Sequence, residues 1–257
     1  MFSSLNHSYW KSAPASATIP AMPRTRSTLM AYAQLLRLPN VFTAMADPLA
    51  GWFVIGGGGD PEWQLPLLLG TSACLYTAGI VFNDCCDIDV DRIERPERPL
   101  PSGVIEKSTA WCLAFGLMAV GLVLAALVSN VALGVAAFLA AMIFFYSAWA
   151  KNIPGMRPLV LGSCRFTNFL LGMRCSPPRL WVFPLLLGVY TAAITFLSQH
   201  EVDNPKLRPV IKQLLLGIIV LDALFVAISP MGDWMGACLV LSLLVPAVVL
   251  AKVFAMT

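Results

Sequence analysis

Charged side chains are scarce in this 257-residue chain: Asp, Glu, Lys and Arg together make up 12% of it, about half the roughly 25% usual in a soluble domain. The hydrophobic set accounts for 58% and the mean hydropathy is +0.76. Too few polar groups exist to cover a water-facing surface, so much of that surface must face lipid. The same composition excludes a disordered chain. The lack of a basic patch excludes a nucleic-acid partner, and a net charge of +3 is too small to imply an anionic one. The seven cysteines are odd in number, form no CxxC pair and mostly lie inside apolar runs. They exclude a disulfide scaffold and read as small hydrophobes packed in helices. Acidic residues are missing before Asp47, and no apolar h-region precedes residue 40, so no secretory signal peptide is expected.

What is present is a series of apolar runs. Residues 1–36, which carry Lys11, Arg24 and Arg26 among Ser, Thr, Ala and Pro, read as a polar cytoplasmic N-terminal tail. An organelle transit peptide is the alternative for such an acid-free stretch. Residues 37–257 read as one transmembrane helical domain. Its stretches near the ~20 residues needed to cross a bilayer are 40–58, 64–83, 109–129, 131–150, 158–175, 180–199, 210–229 and 234–254. Gly- and Pro-containing turns, such as 56–61, 152–155 and 229–233, separate them. Lipid admits only helices or closed barrels, and runs this long are helices. The expected fold is therefore an all-α, polytopic transmembrane bundle of about eight spans. With the tail placed inside, 14 of the 17 Lys and Arg residues fall on that side, which predicts cytoplasmic termini.

Polar residues gather in the inside loop after the second span. If that span continues as helix, Asn83, Asp87 and Asp91 fall at i, i+4 and i+8, and Asp84 shares their face. Three carboxylates stacked in this way repel one another unless a cation neutralises them. Mg²⁺ takes oxygen ligands and usually binds one or two carboxylates plus substrate phosphates. The plainer reading is a solvated acidic cap satisfied by Arg92, Arg95 and Arg98, but such a cap needs no helical register. Cys85 and Cys86 occupy the spacer positions and point away from the carboxylate face.

The pattern Asn83, Asp84, Asp87, Asp91, followed by Arg98-Pro99-Leu100-Pro101-Ser102-Gly103, resembles the first Asp-rich signature of the UbiA superfamily of intramembrane prenyltransferases. The likeness runs from Leu35-Leu36-Arg37-Leu38-Pro39-Asn40 to at least the seventh span, and the bacterial UbiA-like EboC branch is nearest. It implies Mg²⁺-dependent transfer of a prenyl group from a prenyl diphosphate to an aromatic or other lipophilic acceptor, in a multi-pass protein of a bacterial inner membrane. Asn83, Asp84, Asp87 and Asp91 would be metal ligands. Lys151 and Tyr146 match a Tyr-x-x-x-x-Lys form, and with Arg98 and Asn40 they would meet the substrate. Asp84, Asp87, Asp91, Lys151 and Asp203 are the implied catalytic set.

The third inside loop departs from the pattern. The family's second signature holds Asp-x-x-x-Asp, whereas this chain reads Gln199-His200-Glu201-Val202-Asp203, followed by Lys206. Glu201 and Asp203 remain as implied metal ligands and Lys206 as a substrate contact, but the first Asp is an amide. Gln199 motivates the alternative reading, a non-catalytic relative that binds or transports a lipophilic metabolite. The likeness also implies nine spans where eight are counted. Within the fifth span, Arg165 and Asn168 lie three apart on one face, and an intramembrane charge marks a functional site by default. They are either substrate-binding or a structural pair with a buried acid. Asp47 is either that acid or a cavity-lining group, and Asp222 is open. Gly116, Gly121, Gly134 and Gly172 are expected to let helices approach closely.

Overall fold

A computed structural model describes residues 28–253 apart from Asp60, Ser176, Val202, Asp203 and Pro205. The described part of the chain is helical, in the order α1 (Thr28–Leu35), α2 (Leu38–Val54), α3 (Gln64–Cys86), α4 (Ile88–Glu94), α5 (Lys107–Val128), α6 (Asn130–Ala148), α7 (Met156–Met173), α8 (Val182–Ser198), α9 (Leu207–Ile228), α10 (Trp234–Ser242) and α11 (Leu244–Val253). Each expected span falls on one long helix, except the last, which α10 and α11 share. The break at Leu243 comes three residues before Pro246, which has no N–H for the Ser242 carbonyl. Of the expected N-terminal tail, residues 1–27 lie outside the described residues, and Thr28–Leu35 is helix.

Among the described residues, six of these segments are long and apolar enough to cross a membrane. The protein is an integral membrane protein built as a helical bundle. The two long helices outside that six are α2 and α7, the most enclosed of the set. Most of α2 and α7 is buried by neighbouring helices, so neither needs a lipid-compatible surface and both can carry ionised groups. By contrast, α5 and α6 expose Phe115, Val123, Leu127 and Phe138, as a lipid-facing surface requires. Ser129 ends one and begins the other, its hydroxyl accepting from the Ala132 N–H at 3.1 Å.

Helices α2 and α7 meet backbone to backbone. A Cβ at Gly172 would land on the Pro48 carbonyl oxygen, and one at Gly51 on the Phe169 carbonyl oxygen. Gly121 faces the Leu75 side chain at 3.2 Å, but Gly116 and Gly134 meet nothing within 4 Å, so two of the four expected approach glycines serve no helix contact. Gly172→Ala is expected to destabilise the protein by about 1–3 kcal/mol through overpacking. Gly116→Ala, where the added methyl finds open space, should be neutral or gain up to ~1 kcal/mol of helix propensity. Unfolding of both variants in the same detergent checks the contrast, and equal effects would refute it.

The close approach has a further consequence. Pro48 lacks an N–H, so the Ala44 carbonyl one turn earlier loses its intrahelical partner. That carbonyl instead accepts from Ser72 Oγ and Asn168 Nδ2, each at 2.8 Å. One proline thus ties α2 to α3 and α7 at the level of the buried charges.

Candidate active site

The acidic ladder keeps its register through a bend. Helix α3 stops at Cys86, and Asp87 leaves helical geometry (φ −95°, ψ 4°). Even so, the Asp87, Asp91 and Arg95 amides still donate to the carbonyls of Asn83, Asp87 and Asp91 at 2.8–2.9 Å. The four residues therefore stay on one side of the chain, as the spacing predicts. Asn83 Nδ2 donates to Asp87 Oδ2 at 2.9 Å, so their shared face is a contact. Cys85 is buried against Val81, Phe82 and Ile88, whereas Cys86 is exposed.

Cations from separate parts of the chain meet the ladder. Arg37 Nη2 donates to Asp84 Oδ1 at 2.9 Å. Arg98 Nη1 donates to Asp91 Oδ2 at 2.8 Å and lies 3.8 Å from Asp84 Oδ1. Lys151 Nζ donates to Asp87 Oδ1. Each cation is positioned by local structure. Arg37 sits in the left-handed turn between α1 and α2 (φ 45°). Arg98 opens the Pro-rich loop, which Leu100 and Ile105 pin into the core beside Phe82. Lys151 lies in a single helical turn, Ala150–Asn152, whose Ala150 is fully buried. Arg92, by contrast, forms an exposed pair with Asp89. The carboxylates are thus met by Arg37, Arg98 and Lys151 rather than by Arg92 and Arg95, and Arg37 was not among the predicted site residues.

Behind this cluster lies a cavity of about 280 Å³, near the lower end of the range for small-molecule sites. Arg37, Tyr76, Asn83, Tyr146, Arg165 and Asn168 are among the residues that line it. Arg37 and Asn83 connect it to the ladder, and its walls come from α3, α6, α7, α8 and Leu215 of α9. Of the predicted substrate contacts, Tyr146, Arg165 and Asn168 reach this cavity, while Asn40, Arg98 and Lys206 do not line it. Asn40 sits one turn before Thr43, with its Oδ1 buried and without a partner, and Lys206 is exposed.

Arg165 is held by the buried acid. Its Nη1 donates to both Asp47 carboxylate oxygens, at 3.0 and 3.1 Å, and to the Thr43 carbonyl at 2.7 Å; its Nη2 donates to Thr43 Oγ1 at 2.9 Å. Asn168 Nδ2 adds a bond to Asp47 Oδ2 at 2.7 Å. Asp47 is 0% exposed and absent from the cavity wall, which decides between its two readings. Asp222, also 0% exposed, stands beside Asp47 and Arg165.

The donor set at the ladder suits a hard divalent cation. Asn83 Oδ1 is buried and unpartnered while its nitrogen is committed to Asp87, and the neighbouring groups are carboxylate oxygens, the ligand type Mg²⁺ takes. Among the described residues no three acidic, His or Cys side chains are gathered around a metal-sized point; the three carboxylates are paired with Arg37, Arg98 and Lys151. In the second loop, Glu201 pairs with Arg208 at 3.0 Å in a partly exposed contact, and Asp203 lies outside the described residues.

Residues 44–256 match the UbiA prenyltransferase family. The chain belongs to that family. Among its curated relatives, the digeranylgeranylglyceryl phosphate synthases of Methanopyrus kandleri and Metallosphaera sedula are 30% and 32% identical over 161 and 173 residues. Those stretches cover 61% and 67% of this chain but only 58% and 61% of the relatives' own lengths. Among solved structures, a digeranylgeranylglyceryl phosphate synthase superposes with a TM-score of 0.62 at 23% identity, with 88% of each chain covered. A UbiA homologue from Archaeoglobus fulgidus bound to DMAPP and Mg²⁺ gives 0.60 at 18%, again with 88% of each. The helical architecture is that of the UbiA family.

Proposed function

We propose that this UbiA-family protein transfers a prenyl group from a prenyl diphosphate to a lipophilic acceptor at the cytoplasmic mouth of the cavity. The observation that carries the reading is the meeting of Asp84, Asp87 and Asp91 with Arg37, Arg98 and Lys151 next to a largely apolar chamber that Arg37 and Asn83 help to line. Support also comes from the family match, from the synthase relatives and from the prenyl diphosphate and Mg²⁺ bound by the Archaeoglobus homologue.

In this reading the bond between C1 of the prenyl group and the diphosphate oxygen breaks, and its electron pair stays with the diphosphate. The acceptor's nucleophilic atom bonds to C1, and its proton passes to the released diphosphate. Mg²⁺ at Asn83, Asp84, Asp87 and Asp91 would supply Lewis-acid stabilisation of the leaving group. Lys151, Arg98 and Arg37 hold phosphate oxygens by charge-assisted hydrogen bonds, exchanging their carboxylates for the substrate. Tyr146 presents its ring to the developing allylic cation. The excess of Lys and Arg in the loops at this end supports a cytoplasmic orientation for it. The bacterial host rests on the resemblance alone; both curated relatives above are archaeal.

Purified protein incubated with radiolabelled prenyl diphosphates of graded length, Mg²⁺ and an acceptor panel is expected to release diphosphate and form prenylated product. Both signals should vanish with EDTA. Asp87→Ala indistinguishable from wild type would overturn the assignment. A binding protein without turnover is the second reading, and exposed Gln199 at the position of the missing carboxylate favours it. Tight, Mg²⁺-dependent binding with no diphosphate release would decide for that alternative.

A further inference from the structure

Ser147 Oγ, Asn168 Oδ1 and Thr191 Oγ1 are buried atoms without hydrogen-bond partners, and all three residues line the cavity. They come from α6, α7 and α8, and their residues are 2%, 6% and 7% exposed. One unpaired polar atom in such a place costs about 1–3 kcal/mol. Three around one chamber mark a site built to receive a polar group.

The chemistry of that group follows from the bonds already made. Asn168 Nδ2 donates to the Ala44 carbonyl and to Asp47 Oδ2; both are acceptors, so the amide cannot be turned round, and its oxygen can take only a donor. The Ser147 and Thr191 hydroxyls can donate or accept. Arg165 in the wall is already neutralised by Asp47, and Arg37 is engaged by Asp84 or, in the proposed reaction, by the diphosphate. An anion beside Asn168 Oδ1 would meet a lone pair and no available cation. A neutral hydroxyl offers what each orphaned atom can take, a donor for Asn168 Oδ1 and an acceptor or donor for the Ser147 and Thr191 hydroxyls.

We propose that Ser147, Asn168 and Thr191 form the acceptor subsite and select a neutral, hydroxyl-bearing lipophile over a carboxylate-bearing one. The inference rests on the prenyl-transfer reading for its meaning, but it can be tested apart from it. The probes are a long-chain 4-alkylphenol, its O-methyl ether and the matching 4-alkylbenzoate. Thermal-shift titration of the full chain with each probe alone reads the subsite whether or not turnover occurs. Diphosphate release without acceptor reads the prenyl-transfer reading.

The phenol is expected to bind about tenfold more tightly than either analogue. The Ser147→Ala/Thr191→Val pair should erase that preference, and should raise KM for the phenol about tenfold while acceptor-free diphosphate release stays within twofold. Thr191→Ser in the Ser147→Ala background should recover part of the preference, showing that the loss is not misfolding. A wild type that favours the ether or the benzoate overturns the proposal. So does a double variant that alters acceptor-free hydrolysis but not phenol binding, because the three atoms would then hold water alone.

Discussion

Replacing Lys151 by Met is expected to lower single-turnover prenyl transfer about 10²–10³-fold while leaving the fold intact. The asymmetry comes from where the pair sits. The Lys151 side chain is 8% exposed and its Asp87 partner 32% exposed, so an abandoned Asp87 can recruit water, and the loss of stability should stay within about 1 kcal/mol. The transition state loses more, because a positioned ammonium stabilises the charge building on the departing diphosphate without the reorganisation that water would need. Asp87→Asn separates two roles for the lysine. If Lys151 acts only by orienting Asp87, Lys151→Met should cost nothing further in the Asp87→Asn background. If it also touches phosphate oxygens, the double variant should be slower than either single one. Less than a fivefold loss in Lys151→Met would remove this lysine from the mechanism. Arg98 calls for the same care: its guanidinium spans Asp91 and Asp84, a reach that a lysine's point charge does not reproduce.

The bundle was legible because bilayer-length apolar runs have few alternatives: seven of the eight runs became single long helices and the eighth a broken pair, and among the described residues six of these segments are long and apolar enough to cross a membrane. The ladder was legible because helical spacing survives the bend at Asp87 through the continuing i to i−4 amide bonds. The bend itself has no residue that announces it. Arg37 was missed because its partner lies 47 positions away and no local spacing links them; its place before Leu38-Pro39 was the available signal. Asp47 and Arg165 could be named as intramembrane charges, but their pairing across 118 positions depends on how closely α2 and α7 pack. Pro48 and Gly172 set that distance, and a proline one turn after Ala44 was a readable sign that a carbonyl there would need an outside donor. Ser147 and Thr191 carried no sign at all, since a small hydroxyl in an apolar run usually bonds back to its own helix, as Thr195 does to the Thr191 carbonyl.

Arg165→Met and Asp222→Asn should move stability in different ways, although the two side chains share one buried site. Removing the guanidinium leaves fully buried Asp47 without the cation that reaches both its oxygens, and losing one member of a buried ion pair costs about 3–5 kcal/mol. The variant should unfold early in detergent and express poorly, with activity falling in step with folded protein. Asp222 is different. No N–H or hydroxyl donor reaches either of its oxygens; its polar neighbour is the Asp47 carboxyl, with which it can share a proton, and the two stand against a single arginine, so a full charge there is poorly compensated. An Asn of the same size removes that charge and can offer N–H donors to Asp47. Asp222→Asn should therefore be neutral or stabilising by up to about 1 kcal/mol, and it should rescue nothing in Arg165→Met, because the deficit in that variant is positive charge beside Asp47. An Asp222→Asn protein as unstable as Arg165→Met would show that the second carboxylate is a working partner of the arginine, and the site would then be a triad whose balance rests on all three groups.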